Sequence, residues 1–300
     1  MNHDVLKDIL SVGTWKRGDI RAPHKPLLLL LTLGRIQNGE PRLISYAELE
    51  PKLKSLLLDF GPPRKDARAY YPFWRLQNDG DFWEIPERQA AIERNSKHAR
   101  QDDVPPAILK EVNAHGGFTE KVFTYLQTHP KELNETVVEL LDSHFPPSMH
   151  EAILEAIGIG AFTWTREKRK RSASFRDDIL RIYGRKCAIC SYDGRLLDAD
   201  LALEGAHVMW HSHGGPDDGN NGLLLCTLHH KLLDRGAIGI SDDRNVLVSQ
   251  HVSGGSQVHE WITKFAGLPF AAPIDSVARL NSQYIHWHRT QVFRDPPIPS

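Results

Sequence analysis

The sequence predicts an α+β fold in two parts. The first is a mostly helical N-terminal domain with a small β-hairpin. The second is a C-terminal domain in which short strands and short helices alternate. Three observations predict this division. Apolar residues recur at helical spacing through most of the first 160 residues. The run Arg-Glu-Lys-Arg-Lys-Arg at 166–171 then breaks the composition. Beyond it lie all 3 cysteines and the densest group of histidines. The domains are expected at 1–160 and 173–300, joined by a basic linker at 161–172; a length of 300 residues suits about two domains.

The elements follow in order. Pro26 sits where a helix opens, and Leu27 to Leu33 form an apolar run that stops near Gly34 or Gly39. The run is far short of the ~20 residues that cross a bilayer, so it reads as a buried helix and no membrane partner is expected. Leu49, Leu53, Leu56 and Leu57 mark a second helix. Tyr70-Tyr71-Pro72-Phe73-Trp74 and Phe82-Trp83-Glu84-Ile85 flank Asn78-Asp79-Gly80-Asp81, a pattern that predicts a hairpin. Short helices follow between Val104 and Ile159. Ser172 then caps a helix through Tyr183, closed by Gly184. A second hairpin is expected from 237–240 and 246–249, around Asp242-Asp243-Arg244-Asn245. The last fifty residues carry no readable motif.

Composition sets limits. The net charge of -1 gives no general attraction to nucleic acid, so any basic surface is local. Hydrophobic residues at 40% and charged residues at 25% fit a globular chain with real cores. Three cysteines are odd in number and too few for a disulfide framework; reduced thiols in the cytoplasm are expected. Met1-Asn2-His3-Asp4 leads into no signal-peptide core, which agrees with that location.

The cysteines have ligand spacing. Cys187 and Cys190 form one Cys-x-x-Cys knuckle, and Cys226 and His229 form a Cys-x-x-His knuckle. Two such knuckles converge on one tetrahedral zinc, a closed and therefore structural site. Magnesium does not choose these ligands.

A second set overlaps the first. Residues 203–208 read as a short strand carrying His207 near its end; Asn221 follows; residues 227–236 read as a short helix closed by glycine. His230 and Asp234, four apart, share one face of that helix. A histidine and a carboxylate together hold a divalent cation such as magnesium or manganese with positions left open for substrate. Phosphodiester hydrolysis needs that cation and a base to activate water. His207 is the candidate base, and Asn221 orients the base or fixes the loop. His211 and His213 are loop residues or phosphate contacts, and Asp217 and Asp218 read as turn residues.

Residues 187–240 resemble the HNH, or ββα-metal, nuclease family, in the subgroup with paired zinc knuckles. The His–Asn–His order falls on His207, Asn221 and His230. The resemblance implies a DNA endonuclease. Two departures stand out. Ala206 occupies a position that often carries a metal ligand, which leaves His230 with Asp234, or Glu204 from nearby. His229 replaces the commoner fourth cysteine. One such site cuts one strand, so a homodimer is plausible.

The N-terminal half offers a basic loop, Arg17-Gly18-Asp19-Ile20-Arg21-Ala22-Pro23-His24-Lys25-Pro26, opening a helix. It also offers the aromatic patch at Tyr70–Trp74, just after Arg64-Lys65-Asp66-Ala67-Arg68. Basic residues interleaved with aromatics suit a DNA surface, and a buried hairpin with solvated charges around it fits equally. Residues 21–34 and 71–83, set before the nuclease motif, resemble the sulfur-binding domain of McrA-like, type IV restriction endonucleases that act on phosphorothioated DNA. That resemblance implies double-stranded DNA carrying phosphorothioate as the partner. It also implies a cup for sulfur at Tyr71 and Pro72, with Arg21, His24 and Arg64 on the neighbouring oxygens or bases. Two alternatives remain: an HNH enzyme reading another mark such as methylcytosine, and a non-catalytic DNA-binding protein with a structural zinc. The basic run at 166–171 lies along DNA or is a solvated linker.

Overall fold

The computed structural model describes residues 2–12, 23–63, 67–95, 103–159 and 173–299. It divides into two compact units, Met1–His144 with His150–Phe162, and Phe145–Met149 with Thr163–Ser300. Among the described residues no helix is long and apolar enough to cross a membrane.

The first unit holds α1 (Asn2–Leu10), α2 (His24–Gln37), β1 (Ile44–Ser45), α3 (Tyr46–Phe60), α4 (Tyr70–Arg75), β2 (Trp83–Glu84), α5 (Arg88–Asn95), α6 (Pro106–Glu111), β3 (His115–Phe118), α7 (Glu120–Thr128) and α8 (Pro130–His144). The helix α9 (Pro147–Ala156) begins in the segment that clusters with the second unit. The expected apolar run is the centre of the first unit. Every residue of α2 from Pro26 to Ile36 is buried, the mark of a helix enclosed on all sides. Helices α3, α4, α7 and α8 pack around it. Ser45 caps α3 by accepting from the Glu48 amide, and Leu49, Leu53, Leu56 and Leu57 all face inward as their spacing predicts.

The expected hairpin at 70–85 is not there. Tyr70–Arg75 is the helix α4, followed by a 3₁₀ turn over Leu76–Asn78, and only Trp83–Glu84 is strand. Tertiary packing decides the outcome. Phe73, Trp74 and Leu76 are buried on helical spacing, and Pro72 falls in the first turn, where a helix tolerates it. β2 finds its partner in β3 instead, giving a three-stranded antiparallel sheet of order β1-β3-β2 with Ile44 opposite Gly116 and Trp83 opposite Phe118. A Cβ at Gly116 would lie 2.6 Å from the Phe73 ring, so α4 and the sheet close together only over glycine.

The second unit holds α10 (Ala173–Ile182), β4 (Arg195–Leu196), β5 (Ala199–Asp200), β6 (Leu203–His207), β7 (Gly222–Cys226), α11 (Thr227–Asp234), β8 (Ile238–Ile240), β9 (Val246–Val248), α12 (Ser256–Trp261) and α13 (Ser282–Gln291). β6 and β7 pair antiparallel from Leu203–Cys226 to His207–Gly222, and α11 follows directly. This is a strand–strand–helix unit. The hairpin β8–β9 forms where expected. α10 ends at Ile182, one residue short of the expected Tyr183, with Gly184 at positive φ just beyond it, while its expected cap Ser172 lies outside the described residues. The basic run 166–171 also lies outside them.

The core of this unit joins Phe175 and Ile179 of α10 to Leu203, Leu224, Leu233, Ile238 and Val246. The tail without a motif completes it. Leu280 and Ile285 enter the core. Trp287 meets Trp210 with ring centroids 5.7 Å apart, and the His288 Nε2–H donates to the Leu233 carbonyl at 3.0 Å. α13 thus holds the C-terminal end of α11.

Candidate active site and metal centre

The Cys187–Cys190 turn is held by backbone bonds from Cys187 N to Tyr192 O and from Ser191 N to Cys187 O, each 2.9 Å. Ala188 N donates to Leu224 O at 2.8 Å and fixes this turn against β7. Cys226 is the N-cap of α11, which places its thiol and the side chain of His229 one turn apart. The four ligand atoms lie within 4.8 Å of one another. Cys187 Sγ is 3.7 Å from His229 Nδ1, Cys226 Sγ is 3.1 Å from the same nitrogen, and the Cys190 and Cys226 sulfurs are 4.0 Å apart.

Such spacings are those of atoms around one tetrahedral ion with bonds of about 2.0–2.3 Å. His229 Nε2 lies 3.0 Å from the Trp261 carbonyl, which only accepts. Nε2 therefore carries a proton, and Nδ1 is the nitrogen that faces the thiols. The shared hydrogen bonds push the Cys187 thiol well below its ordinary range and Cys190 well above it. These three thiols and Nδ1 would hold a zinc ion as its four ligands, the ion taking the place of the shared protons. The residues fit the ion.

The second group surrounds β6. Along a strand, side chains alternate, so Gly205 and His207 face α10 while Glu204 faces α11. The His207 ring stacks on Phe175 of α10, centroids 4.0 Å apart and planes 9° from parallel. Its Nε2 stands 2.8 Å from Asp217 Oδ1. An ionised carboxylate only accepts, so Nε2 carries the proton of this bond. Sequence reading missed this role. Asp217 sits beside Asp218 and Gly219 in a stretch with the composition of a turn, and only the fold carries it to His207.

Asn221 is fully buried, and its whole side chain is engaged. Oδ1 accepts from Met209 N at 2.8 Å, and Nδ2 donates to Met209 O at 3.0 Å and to Pro216 O at 2.9 Å. Of its two expected uses, the structure shows the second: it locks the loop between β6 and β7. Gly215 is obligatory there, because a Cβ would fall 1.8 Å from Met209 O. The locked loop carries Asp217, and thereby sets His207. His211 lies in the same loop, its ring 6.1 Å from that of His207.

On α11, His230 lies between two carboxylates. Nδ1 is 2.7 Å from Glu204 Oε2, and Nε2 is 3.2 Å from Asp234 Oδ2. Asp234 is only 2% exposed and also accepts from the Ser148 hydroxyl of the segment Phe145–Met149. Burial opposes the charged imidazolium, but Asp234 and then Glu204 outweigh it and push His230 up to about 10. Burial likewise opposes the Asp234 carboxylate, and His230 overrides it to hold that group below its usual range. Two atoms at 3.2 Å fit adjacent positions on a hard cation, whose ligands at 2.0–2.1 Å stand about 3.0 Å apart at right angles.

In the N-terminal unit, Tyr71 is half-buried on α4. Its hydroxyl accepts from Arg68 Nη1 at 3.2 Å, and the Arg75 guanidinium lies 4.6 Å from the ring centroid. Arg75 is anchored by two bonds to Asp103, of 2.7 and 2.6 Å. Tyr70 stacks at 4.3 Å and is pushed up to about 12, first by burial and then by Tyr71. Pro72 is buried in α4 beneath this surface. His24, half-buried, is the first residue of α2; next to it, Lys25 bonds Asp79 at 2.8 Å and ties the start of α2 to the turn after α4. The expected contacts Arg21 and Arg64 lie outside the described residues.

Comparison with known proteins adds the family. Residues 2–162 match the model of the ScoMcrA-like DNA sulfur-binding domain, and residues 187–241 match the HNH endonuclease model. Among solved structures, the sulfur-binding domain of ScoMcrA complexed with phosphorothioated DNA is similar at 22% identity and a TM-score of 0.45, covering 51% of this chain and 94% of that one. The equivalent domain of SprMcrA in complex with phosphorothioated DNA is 21% identical with a TM-score of 0.42, covering 53% and 94%. The type IV phosphorothioation-dependent restriction endonuclease ScoMcrA is 23% identical with a TM-score of 0.43, and the match spans 51% of this chain but 32% of that enzyme. No curated protein sequence matches. With its family model matched over more than half of 300 residues, the chain belongs to the ScoMcrA-like DNA sulfur-binding domain family and carries an HNH endonuclease domain behind that domain.

Proposed function

We propose that the chain is a modification-dependent restriction endonuclease: the N-terminal domain engages double-stranded DNA at a backbone phosphorothioate, and the HNH domain hydrolyses a phosphodiester nearby. The observation that carries it is the pairing of the matched sulfur-binding domain with an HNH-matched second domain, in which Asp217 Oδ1 lies 2.8 Å from His207 Nε2.

A phosphorothioate keeps its negative charge but exchanges one oxygen for a larger, softer sulfur. Sulfur accepts hydrogen bonds poorly and loses less on leaving water. An apolar cup therefore tolerates it and penalises oxygen, whose charge would be buried unpaired. Tyr71, over buried Pro72, forms that cup, and His24, Arg21 and Arg64 hold the remaining oxygens and adjacent groups. In the HNH domain, His207 Nδ1 takes the proton of the attacking water while Asp217 keeps the ring oriented. Asn221 acts by holding the loop. His230 and Asp234 hold a magnesium- or manganese-like cation, which when bound supplies charge stabilisation to the phosphoryl oxygens. Cys187, Cys190, Cys226 and His229 hold zinc and anchor the start of α11. The reduced thiols fit a cytoplasmic enzyme, and cutting both strands calls for two copies.

The test uses one duplex in two forms, with and without a single phosphorothioate, incubated with the full chain and magnesium or manganese. Cutting of the sulfur-bearing form alone supports the reading. Equal cutting of both discards sulfur reading, and preference for a methylcytosine duplex replaces the mark. Selective binding with no cutting by any cation would leave a DNA-binding protein with a structural zinc.

A further inference from the structure

The HNH resemblance leaves a gap at Ala206, where relatives often carry a metal ligand. Glu204, two residues earlier on the same face of β6, is the nearest carboxylate on that face, and what it does is not fixed by the motif. The hydrogen bonds settle which part it can play. Glu204 Oε2 is 2.7 Å from His230 Nδ1, and Glu204 Oε1 accepts from the Thr227 hydroxyl at 3.2 Å. Thr227 and His230 are three residues apart on α11 and present one face. Both carboxylate oxygens are thus engaged by a single turn of α11, although the side chain is 45% exposed. A half-exposed ion pair contributes little to stability, so folding alone does not explain so well-fixed a carboxylate.

The geometry points to Glu204 as a positioning residue for the catalytic cation: it holds the His230 ring by Nδ1 and so sets Nε2, the other nitrogen, beside Asp234 Oδ2. Each ring nitrogen of His230 faces a carboxylate, Nδ1 the Glu204 of β6 and Nε2 the Asp234 of its own helix; a cation beside Asp234 would take the place of the Nε2 proton, and the Nδ1–H would stay with Glu204. Nε2 and Asp234 Oδ2, 3.2 Å apart, are the two atoms spaced for a shared cation. A carboxylate behind a ligating histidine fixes the ring and raises its basicity. Glu204 supplies from β6 the orientation that α11 alone leaves free. This rests on the cation site proposed above.

The test is manganese binding to the full-length, zinc-loaded protein without DNA, read by electron paramagnetic resonance. Glu204→Leu, which removes the acceptor, is expected to weaken manganese binding by about 10–100-fold. Glu204→Gln keeps an oxygen opposite Nδ1–H and is expected to stay within about threefold of the parent. Thr227→Val, which frees only Oε1, gives a smaller loss and serves if the leucine variant does not fold. Nitrogen shifts of the His230 ring with magnesium bound are expected to show Nδ1 protonated in the parent and a mixture of tautomers in Glu204→Leu. Parent-like manganese binding by Glu204→Leu would overturn the assignment. Equal loss in the Gln and Leu variants would make Glu204 a direct ligand and also overturn it. If His230→Ala and Asp234→Asn bind manganese as the parent does, the cation site itself is misplaced and both readings fall.

Discussion

His229 and His230 are neighbours in sequence, yet α11 turns them about 100° apart into different chemistry. His229 points back to the start of the helix, where it is buried among three sulfurs, with its outer nitrogen tied to the Trp261 carbonyl. His230 points to β6 and lies between two carboxylates. The first surroundings are thiol-rich and filled by protein atoms, the composition of a site that holds structure. The second offers oxygen donors and two protein atoms spaced for a hard cation, the composition of a site that leaves room for substrate. On the function proposed above, the eight-residue α11 would serve both, the thiol-rich cluster fixing the end from which the second group is built.

The largest effect expected from breaking this comparison lies on the thiol side. Cys226→Ser removes a proposed zinc ligand while leaving a residue that can still cap α11. Zinc content should fall to near zero and the C-terminal unit should lose its cooperative melting, since structural zinc contributes on the order of 10 kcal/mol to folding in small metal-bound domains. Binding of phosphorothioated duplex by the N-terminal domain should survive, as a mobility-shift assay would show. The next effect is on chemistry alone. His207→Ala should reduce single-turnover cleavage by about 10²–10⁴-fold with zinc content and DNA affinity unchanged. Near-parental cutting by that variant would remove His207 as the base. Asn221→Ala opens a buried, three-bond lock on the loop, and each unmet group costs about 1–3 kcal/mol. Melting should drop and cleavage should fall with it, because the loop carries Asp217. Asp217→Asn is the gentlest change: the amide oxygen still accepts from Nε2, so the fold should melt as before and cleavage should fall by about tenfold through weaker charge support for His207.

The two sides were unequally legible in the sequence. Thiol ligands announce themselves, because cysteine is scarce and knuckle spacing is set by the turn that brings two sulfurs together. His207, Asn221, His230 and Asp234 were named from a strand end and one helix face, and the fold brings His230 and Asp234 to 3.2 Å while His207 and Asn221 flank one loop. Asp217 was not, because nothing local distinguishes a carboxylate in a turn from one that the loop folds back onto a histidine. The N-terminal aromatics misled for a related reason. Tyr70–Trp74 and Asp79-Gly80 have strand and turn propensities, but burial of Phe73, Trp74 and Leu76 beside α2 made the segment helical and sent β2 to pair with β3. The tail gave no signal, since its work includes packing: Trp287 meets the rings of Trp210 and His213, and His288 meets the Leu233 carbonyl.

The most direct test of the central claim separates the two centres in one tube. The full chain is dialysed against a mild chelator until weakly held cations are gone and one zinc per chain remains, then mixed with the phosphorothioated duplex. The account predicts binding without cutting, with cleavage restored by added manganese or magnesium. Full cutting by the zinc-only protein, unchanged by added cation, would contradict it.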